Sequence, residues 1–159
     1  MKILCVCLGN ICRSPTAEGV LKSMLKDYEG FFVDSAGTSS WHEGDSPDGR
    51  STYHASLRGY KLEGSSRAVR EEDFREFDVI LAMDQRNHFD LSQMCPSAKD
   101  EAKIKLITDY CKIHEGDHLK LGVPDPYYKG EEGFGIVLDI IEDACAVLVG
   151  EWTDEKKEK

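Results

Sequence analysis

The chain has 159 residues, 40% hydrophobic and 31% charged, a balance that fits one globular domain with a buried core. Its net charge of −10 works against nucleic acid and anionic membrane as partners, and no apolar run approaches the roughly 20 residues that span a bilayer. The opening apolar residues are broken too soon by Gly9-Asn10 for a signal peptide, so a cytoplasmic location is expected, without structural disulfides.

Ile3-Leu4-Cys5-Val6 predicts a buried strand that ends at Cys7. A loop containing Gly9 follows, and Pro15 then opens a helix, where its missing N–H has no partner to lose. Ala17, Val20, Leu21, Met24, Leu25 and Tyr28 recur behind it at helical spacing. Phe31-Phe32-Val33 predicts a second strand. Residues 34–50, rich in Ser, Gly, Asp and Pro, read as a long loop of the kind that carries function. A second helix is expected over 48–59. Residues 78–83 predict a third strand, with Asp84 placed to cap the helix after it, and Ile104-Lys105-Leu106-Ile107 predicts a fourth. Pro124 and Pro126 exclude helix around Asp125. The last helix is expected over 131–149, with Phe134, Val137, Leu138, Ile141, Cys145 and Leu148 as its apolar stripe. After Gly150, residues 151–159 read as a charged, frayed tail on a single domain of residues 1–150. Strands alternating with helices predict an α/β fold, a parallel sheet covered on both faces, with ligands bound beyond the carboxyl ends of its strands.

The segment from Cys7 to Pro15 has the spacing C-x5-R-S at a strand-to-helix junction. There the backbone N–H groups of Leu8, Gly9, Asn10, Ile11, Cys12, Arg13 and Ser14 can wrap an anion, with a helix N-terminus behind it. Gly9 permits tight curvature, and the planar fork of Arg13 suits two phosphate oxygens. The same donors favour a thiolate at Cys7, so one loop can bind a phosphoryl group and attack it. The nucleotide loop G-x4-G-K-[ST] is absent. A thiolate attacking phosphorus needs an acid for the departing oxygen, and Asp125 is the candidate. Ionised Cys7 and protonated Asp125 must coexist, which predicts a bell-shaped pH–rate profile with its optimum on the acid side of neutral. The six cysteines, Cys5, Cys7, Cys12, Cys95, Cys111 and Cys145, lack zinc-site spacing, and the five histidines read as surface residues; no metal is expected.

Val6-Cys7-Leu8-Gly9-Asn10-Ile11-Cys12-Arg13-Ser14-Pro15 followed by Ala17-Glu18, together with Asp125-Pro126-Tyr127-Tyr128, closely resembles the low-molecular-weight protein tyrosine phosphatases. Asp34-Ser35-Ala36-Gly37-Thr38 with Trp41, Glu72-Asp73-Phe74, and Phe77-Asp78 through Met83-Asp84 extend the resemblance over essentially all of residues 1–150. It implies a three-layer, flavodoxin-like fold with a four-stranded parallel sheet. It implies hydrolysis of protein phosphotyrosine and aryl phosphates through a phosphocysteine on Cys7, with Arg13 clamping phosphate and Asp125 as general acid, then base. Asn10, Ser14 and Ser35 are the implied loop supports; Trp41, Tyr127 and Tyr128 the implied walls for the phenyl ring; Cys12 the implied trap for oxidised Cys7. The implied enzyme is a monomer that needs no cofactor, acts on phosphotyrosine proteins and binds inorganic phosphate or other oxyanions. Relatives acting on phosphoarginine carry Thr where this chain has Ile11, which favours phosphotyrosine here. Many animal members have His before the glycine ending the second helix; here Arg58 precedes Gly59, with His54 one turn earlier. The alternatives are a protein-arginine phosphatase, an arsenate reductase, which would need further cysteines near the site, and a phosphopeptide-binding module.

Overall fold

The opening apolar run forms β1, Lys2–Cys7, buried throughout after Lys2. Its side chains alternate between two hydrophobic clusters: Ile3, Cys5 and Cys7 enter one, Leu4 and Val6 the other. A strand apolar on both sides belongs in the middle of a covered sheet. β2 (Phe32–Gly37) and β3 (Val79–Ala82) pair with it in parallel on either side, and β4 (Ile104–Leu106) pairs in parallel with β3, in the order β2-β1-β3-β4. The computed structural model describes residues 1–127 and 130–157.

On one face, α1 (Arg13–Met24) and α6 (Glu132–Lys157) pack together over Ile3 and Cys5 through Val20, Leu21, Val137 and Ile141. α2 (Gly49–Leu57), capped by the Asp48 carboxylate, lies against both. On the other face, Phe74 of α3 (Glu71–Glu76) and Leu91 of α4 (Gln85–Met94) join Leu4, Val6 and Ile80. The short α5 (Ala98–Glu101) precedes β4. The chain leaves β1 through α1 to reach β2 on one side and later crosses to β3 on the other. The carboxyl end of β1 is therefore a topological switch point, where such sheets open a crevice.

Three expectations need correction. Residues 34–37 are strand, not loop: β2 runs on to Gly37 because its ladder with β1 continues to Cys7, and the small residues Ser35, Ala36 and Gly37 are buried there. α3 was not foreseen; its first turn is held by Asp73, whose carboxylate accepts from the Arg70 backbone N–H at 2.7 Å. The last helix does not stop at Gly150, and the charged tail is helical to Lys157. Gly150 lacks the positive φ that ends helices at glycine, and Trp152, buried beside Phe31 at 6.4 Å between ring centroids, anchors the next turn.

Candidate active site

Residues 8–12 join β1 to α1 at the switch point. Their carbonyls are held from outside the loop. Thr38 N–H donates to Cys7 O at 2.9 Å, Ser39 N–H to Leu8 O at 3.0 Å and Asp48 N–H to Ile11 O at 2.8 Å. Ser66 Oγ donates to Gly9 O at 2.9 Å. In a trans peptide the N–H points opposite to the C=O. Pinning these carbonyls outward therefore turns the N–H groups of Leu8, Gly9, Asn10 and Cys12 inward, and Asn10 N–H indeed lies 3.3 Å from Cys7 Sγ. The curl requires Asn10 at φ 57°, a left-handed conformation that asparagine tolerates, and a glycine at position 37, where a Cβ would stand 2.7 Å from Leu8 O.

Behind the sulfur runs a buried hydrogen-bond chain whose direction is fixed at both ends. Arg67 N–H can only donate, and it donates to Asn10 Oδ1 at 3.1 Å, so the Asn10 amide must turn Nδ2 toward the two serines. Nδ2 donates to Ser14 Oγ at 2.8 Å and to Ser35 Oγ at 2.9 Å. Glu18 can only accept, and it takes the Ser35 hydroxyl hydrogen at 2.6 Å. Ser14 then has its own hydrogen to give, and its nearer acceptor is Cys7 Sγ at 2.9 Å rather than Ala36 O at 3.5 Å. A donor is thus aimed at the sulfur in the form that stabilises a thiolate.

Arg13, almost fully buried, opens α1. Its Nη1 donates to Asp84 Oδ2 at 2.5 Å and to Val123 O at 3.1 Å. Among the described residues Nη2 and Nε, one edge of the guanidinium, make no hydrogen bond and suit two oxygens of a phosphoryl group. Burial opposes its charge, but Cys7, Asp84 and Asp125 hold it more firmly protonated than usual. Asp125 Oδ2 lies 3.7 Å from Arg13 Nη2, and its Oδ1 accepts from Tyr127 N–H at 3.0 Å, so the Pro-Asp-Pro turn presents the carboxylate beside the loop. Burial pushes the Cys12 thiol up to about 12, against a lowering hydrogen bond with Ser51, so Cys12 is a neutral thiol at ordinary pH.

These groups line one cavity of about 370 Å³, with Cys7, Arg13 and Asp125 at its polar end and Leu8, Ile11, Trp41 and Tyr127 among its walls. Cys7, Leu8, Gly9, Ile11, Cys12 and Arg13 all reach it, while Asn10, Ser14 and Ser35 sit behind as supports. Trp41 is 88% exposed and stands at the mouth. Tyr127 is braced by Arg50, whose guanidinium lies 5.4 Å from its ring and bonds its carbonyl at 3.0 Å. Tyr128 lies outside the described residues.

Sequence reasoning missed several participants. Glu18, Arg67 and Asp84 complete the support but touch it only through the fold. His42, read as a surface residue, lines the cavity, with its ring 6.1 Å from Tyr127. Arg58 does not support the loop; it binds Asp139 and Glu142 of α6. His54 stacks on Phe134 at 5.6 Å instead of reaching Asn10. The signal that could have found Glu18 was its position, one helical turn after Ser14 on the same face of α1.

The family model described as low molecular weight phosphotyrosine protein phosphatase matches residues 2–159. A Synechocystis protein assigned by name to the low molecular weight protein-tyrosine-phosphatases is 48% identical over 153 residues, 94% of each chain. A crystal structure of a protein tyrosine phosphatase from Entamoeba histolytica, with Hepes in its active site, superposes with a TM-score of 0.91 at 44% identity, covering 98% of this chain and 99% of that one. A Drosophila arginine phosphatase superposes with a TM-score of 0.87 at 32% identity, covering 96% and 98%.

Proposed function

The chain belongs to the low molecular weight phosphotyrosine protein phosphatases and hydrolyses phosphotyrosine monoesters; we propose that Cys7, Arg13 and Asp125 carry the reaction. The observation that supports this best is their meeting in one cavity, with a hydrogen-bond chain that ends as a donor on Cys7 Sγ.

The phosphoryl group sits in the loop of residues 8–14 against the inward N–H groups of Leu8, Gly9, Asn10 and Cys12, with two oxygens on Arg13. The Cys7 thiolate attacks phosphorus, the P–O bond to the phenol breaks, and Asp125 gives its proton to the departing oxygen. In the second step Asp125 takes a proton from water as that water attacks the phosphocysteine. Phosphate leaves and the Cys7 thiolate is restored. Inward N–H groups and Arg13 offset charge on the equatorial oxygens in both steps. Asp84 and Val123 act through Arg13 by fixing its orientation. The ring lies between the apolar side chains of Leu8 and Ile11 and the aromatic ones of Trp41 and Tyr127.

Phosphotyrosine is favoured over phosphoarginine by Ile11, which lines the cavity and offers no acceptor to guanidinium N–H groups. Comparing rates on the two phosphoamino acids tests this choice. The partners proposed are phosphotyrosine proteins, with inorganic phosphate as product, and the enzyme acts as a cytoplasmic monomer. Cys12 lies in the same cavity as Cys7 and gives it a redox partner: peroxide converts the Cys7 thiolate to a sulfenic acid, and Cys12 displaces water to form the disulfide.

The test is steady-state hydrolysis of a series of aryl phosphates. Cys7→Ser is expected to abolish turnover. Asp125→Ala is expected to slow the first step, by about 10²–10⁴-fold for poor leaving groups and least for good ones. Near-normal turnover by Cys7→Ser overturns the assignment.

A further inference from the structure

A second cavity, about 400 Å³, lies directly beside the catalytic one. Asp125 lines both, and the Arg13–Asp84 ion pair joins a residue of the first lining to one of the second. One wall is the start of α4, with Gln85 and Arg86; the other is Leu121, Val123 and Pro124.

This groove is built into the backbone. Gln85 N–H donates to Leu121 O at 2.9 Å, and Val123 N–H to Met83 O at 2.7 Å. Gln85 Nε2 donates to Lys120 O at 3.0 Å. Its floor is closed by Gly122, at φ 117°, where a Cβ would stand 2.3 Å from Asp84 Cα. Leu121 gains nothing from the core: its neighbours Leu119 and Val123 are buried, yet Leu121 itself is 70% exposed at the edge of the groove. Leu121 with Pro124 gives the groove an apolar edge on a fixed backbone.

We propose that this groove is a substrate subsite that receives an apolar side chain next to the phosphotyrosine in the substrate segment. The proposal rests on Asp125 serving the leaving oxygen. A phosphotyrosine ring on one side of Asp125 places the peptide at the shared rim, and one or two extended residues, at about 3.3–3.6 Å each, carry the chain over it. Continuity with the catalytic cavity and the aliphatic character of Leu121, Val123 and Pro124 select an apolar occupant. The two carboxylates of the lining, Asp84 and Asp125, are both turned to Arg13. Arg86 at the groove, although paired with Asp90 of its own helix, favours segments that are otherwise acidic, against the repulsion of the chain's −10.

The experiment uses matched phosphotyrosine peptides carrying Leu or Gly at the positions flanking the phosphotyrosine, with p-nitrophenyl phosphate as a control for the catalytic cavity. The native enzyme is expected to prefer a Leu peptide about tenfold in kcat/KM, chiefly through KM, as burial of part of one apolar side chain predicts. Leu121→Gln, at an exposed position, is expected to remove most of that preference while p-nitrophenyl phosphate turnover stays unchanged. Equal use of Leu and Gly peptides by the native enzyme overturns the subsite, as does a Leu121→Gln effect of the same size on p-nitrophenyl phosphate. Neither result touches the assignment of Cys7, which stands or falls with Cys7→Ser.

Discussion

At the scale of single residues, the proposed mechanism separates groups that react from groups that only orient them. Cys7, Arg13 and Asp125 are legible in the sequence only together: C-x5-R-S gains weight from its strand-to-helix junction, and Pro-Asp-Pro, by itself an ordinary turn, gains it as the acid such a loop needs. Glu18 does not, since a glutamate near a helix start reads as an ordinary surface residue. Its carboxylate is largely buried and accepts from Ser35 and Lys22, the latter at 2.7 Å. Replacing it frees the Ser35 hydroxyl to turn and loosens its hold on Asn10 Nδ2, while Arg67 still sets the direction of the amide. Glu18→Gln is expected to lower kcat about tenfold with little change in KM, the scale of one charge-assisted hydrogen bond. Alkylation of Cys7 by iodoacetate at fixed pH should slow by a similar factor, whereas a purely structural loss would leave the folded fraction reacting at the native rate. Glu18→Leu, which cannot accept at all, should be the more severe of the two.

At the scale of elements, the strands and main helices were legible because their apolar spacing is strong, and the departures have local causes. The end of β2 was hidden by its small polar residues, whose pairing with β1 comes from the sheet. α3 was hidden because its acidic first turn looks like solvent-facing loop until Asp73 is seen bonding Arg70 and Arg67. A similar carboxylate device ties residues 112–114 to α6. Asp143 accepts from the backbone N–H groups of Lys112, Ile113 and His114 at 2.8–2.9 Å, and from His114 Nδ1 at 2.9 Å. Burial alone would raise its pKa, but these donors hold it at about 2. Since the folded value lies below the unfolded one near 3.9, the stabilisation is fully present above about pH 4 and is lost as pH falls toward 2. Asp143→Asn is expected to cost about 2 kcal/mol in urea unfolding at pH 7, with the gap to the native protein closing near pH 2.

At the scale of the whole molecule, two quantities govern behaviour away from the site. The first is the length of α6. Trp152 covers the edge of the core beside Phe31, so Trp152→Ala should destabilise the fold by about 3 kcal/mol in thermal or urea unfolding, with kcat of the folded enzyme unchanged. The sequence hid this because Gly150 and the lysine-rich end look like a stop. The second is the net charge of −10, which repels anionic substrates beyond the local positive focus at Arg13. Raising ionic strength from about 0.01 M to 0.1 M shortens the screening length from about 30 Å to 10 Å, so kcat/KM for an acidic phosphopeptide should rise. Stopped-flow or steady-state rates across a salt series would show it.

The supports that the proposed phosphate loop draws from outside its own segment have scattered origins. Ser35 comes from β2, Asp84 from the entry to α4, Asp48 from the entry to α2, and Ser66 and Arg67 from the stretch before α3. None of them neighbours Cys7 in the chain. Their convergence requires the long-range contacts of the finished sheet, the slowest to form as a polypeptide condenses. The Cys7 sulfur, the proposed nucleophile, is therefore expected to acquire its environment only as the sheet closes. Recovery of activity during refolding should lag helix formation and coincide with closure of the sheet, so turnover itself reports completion of the fold.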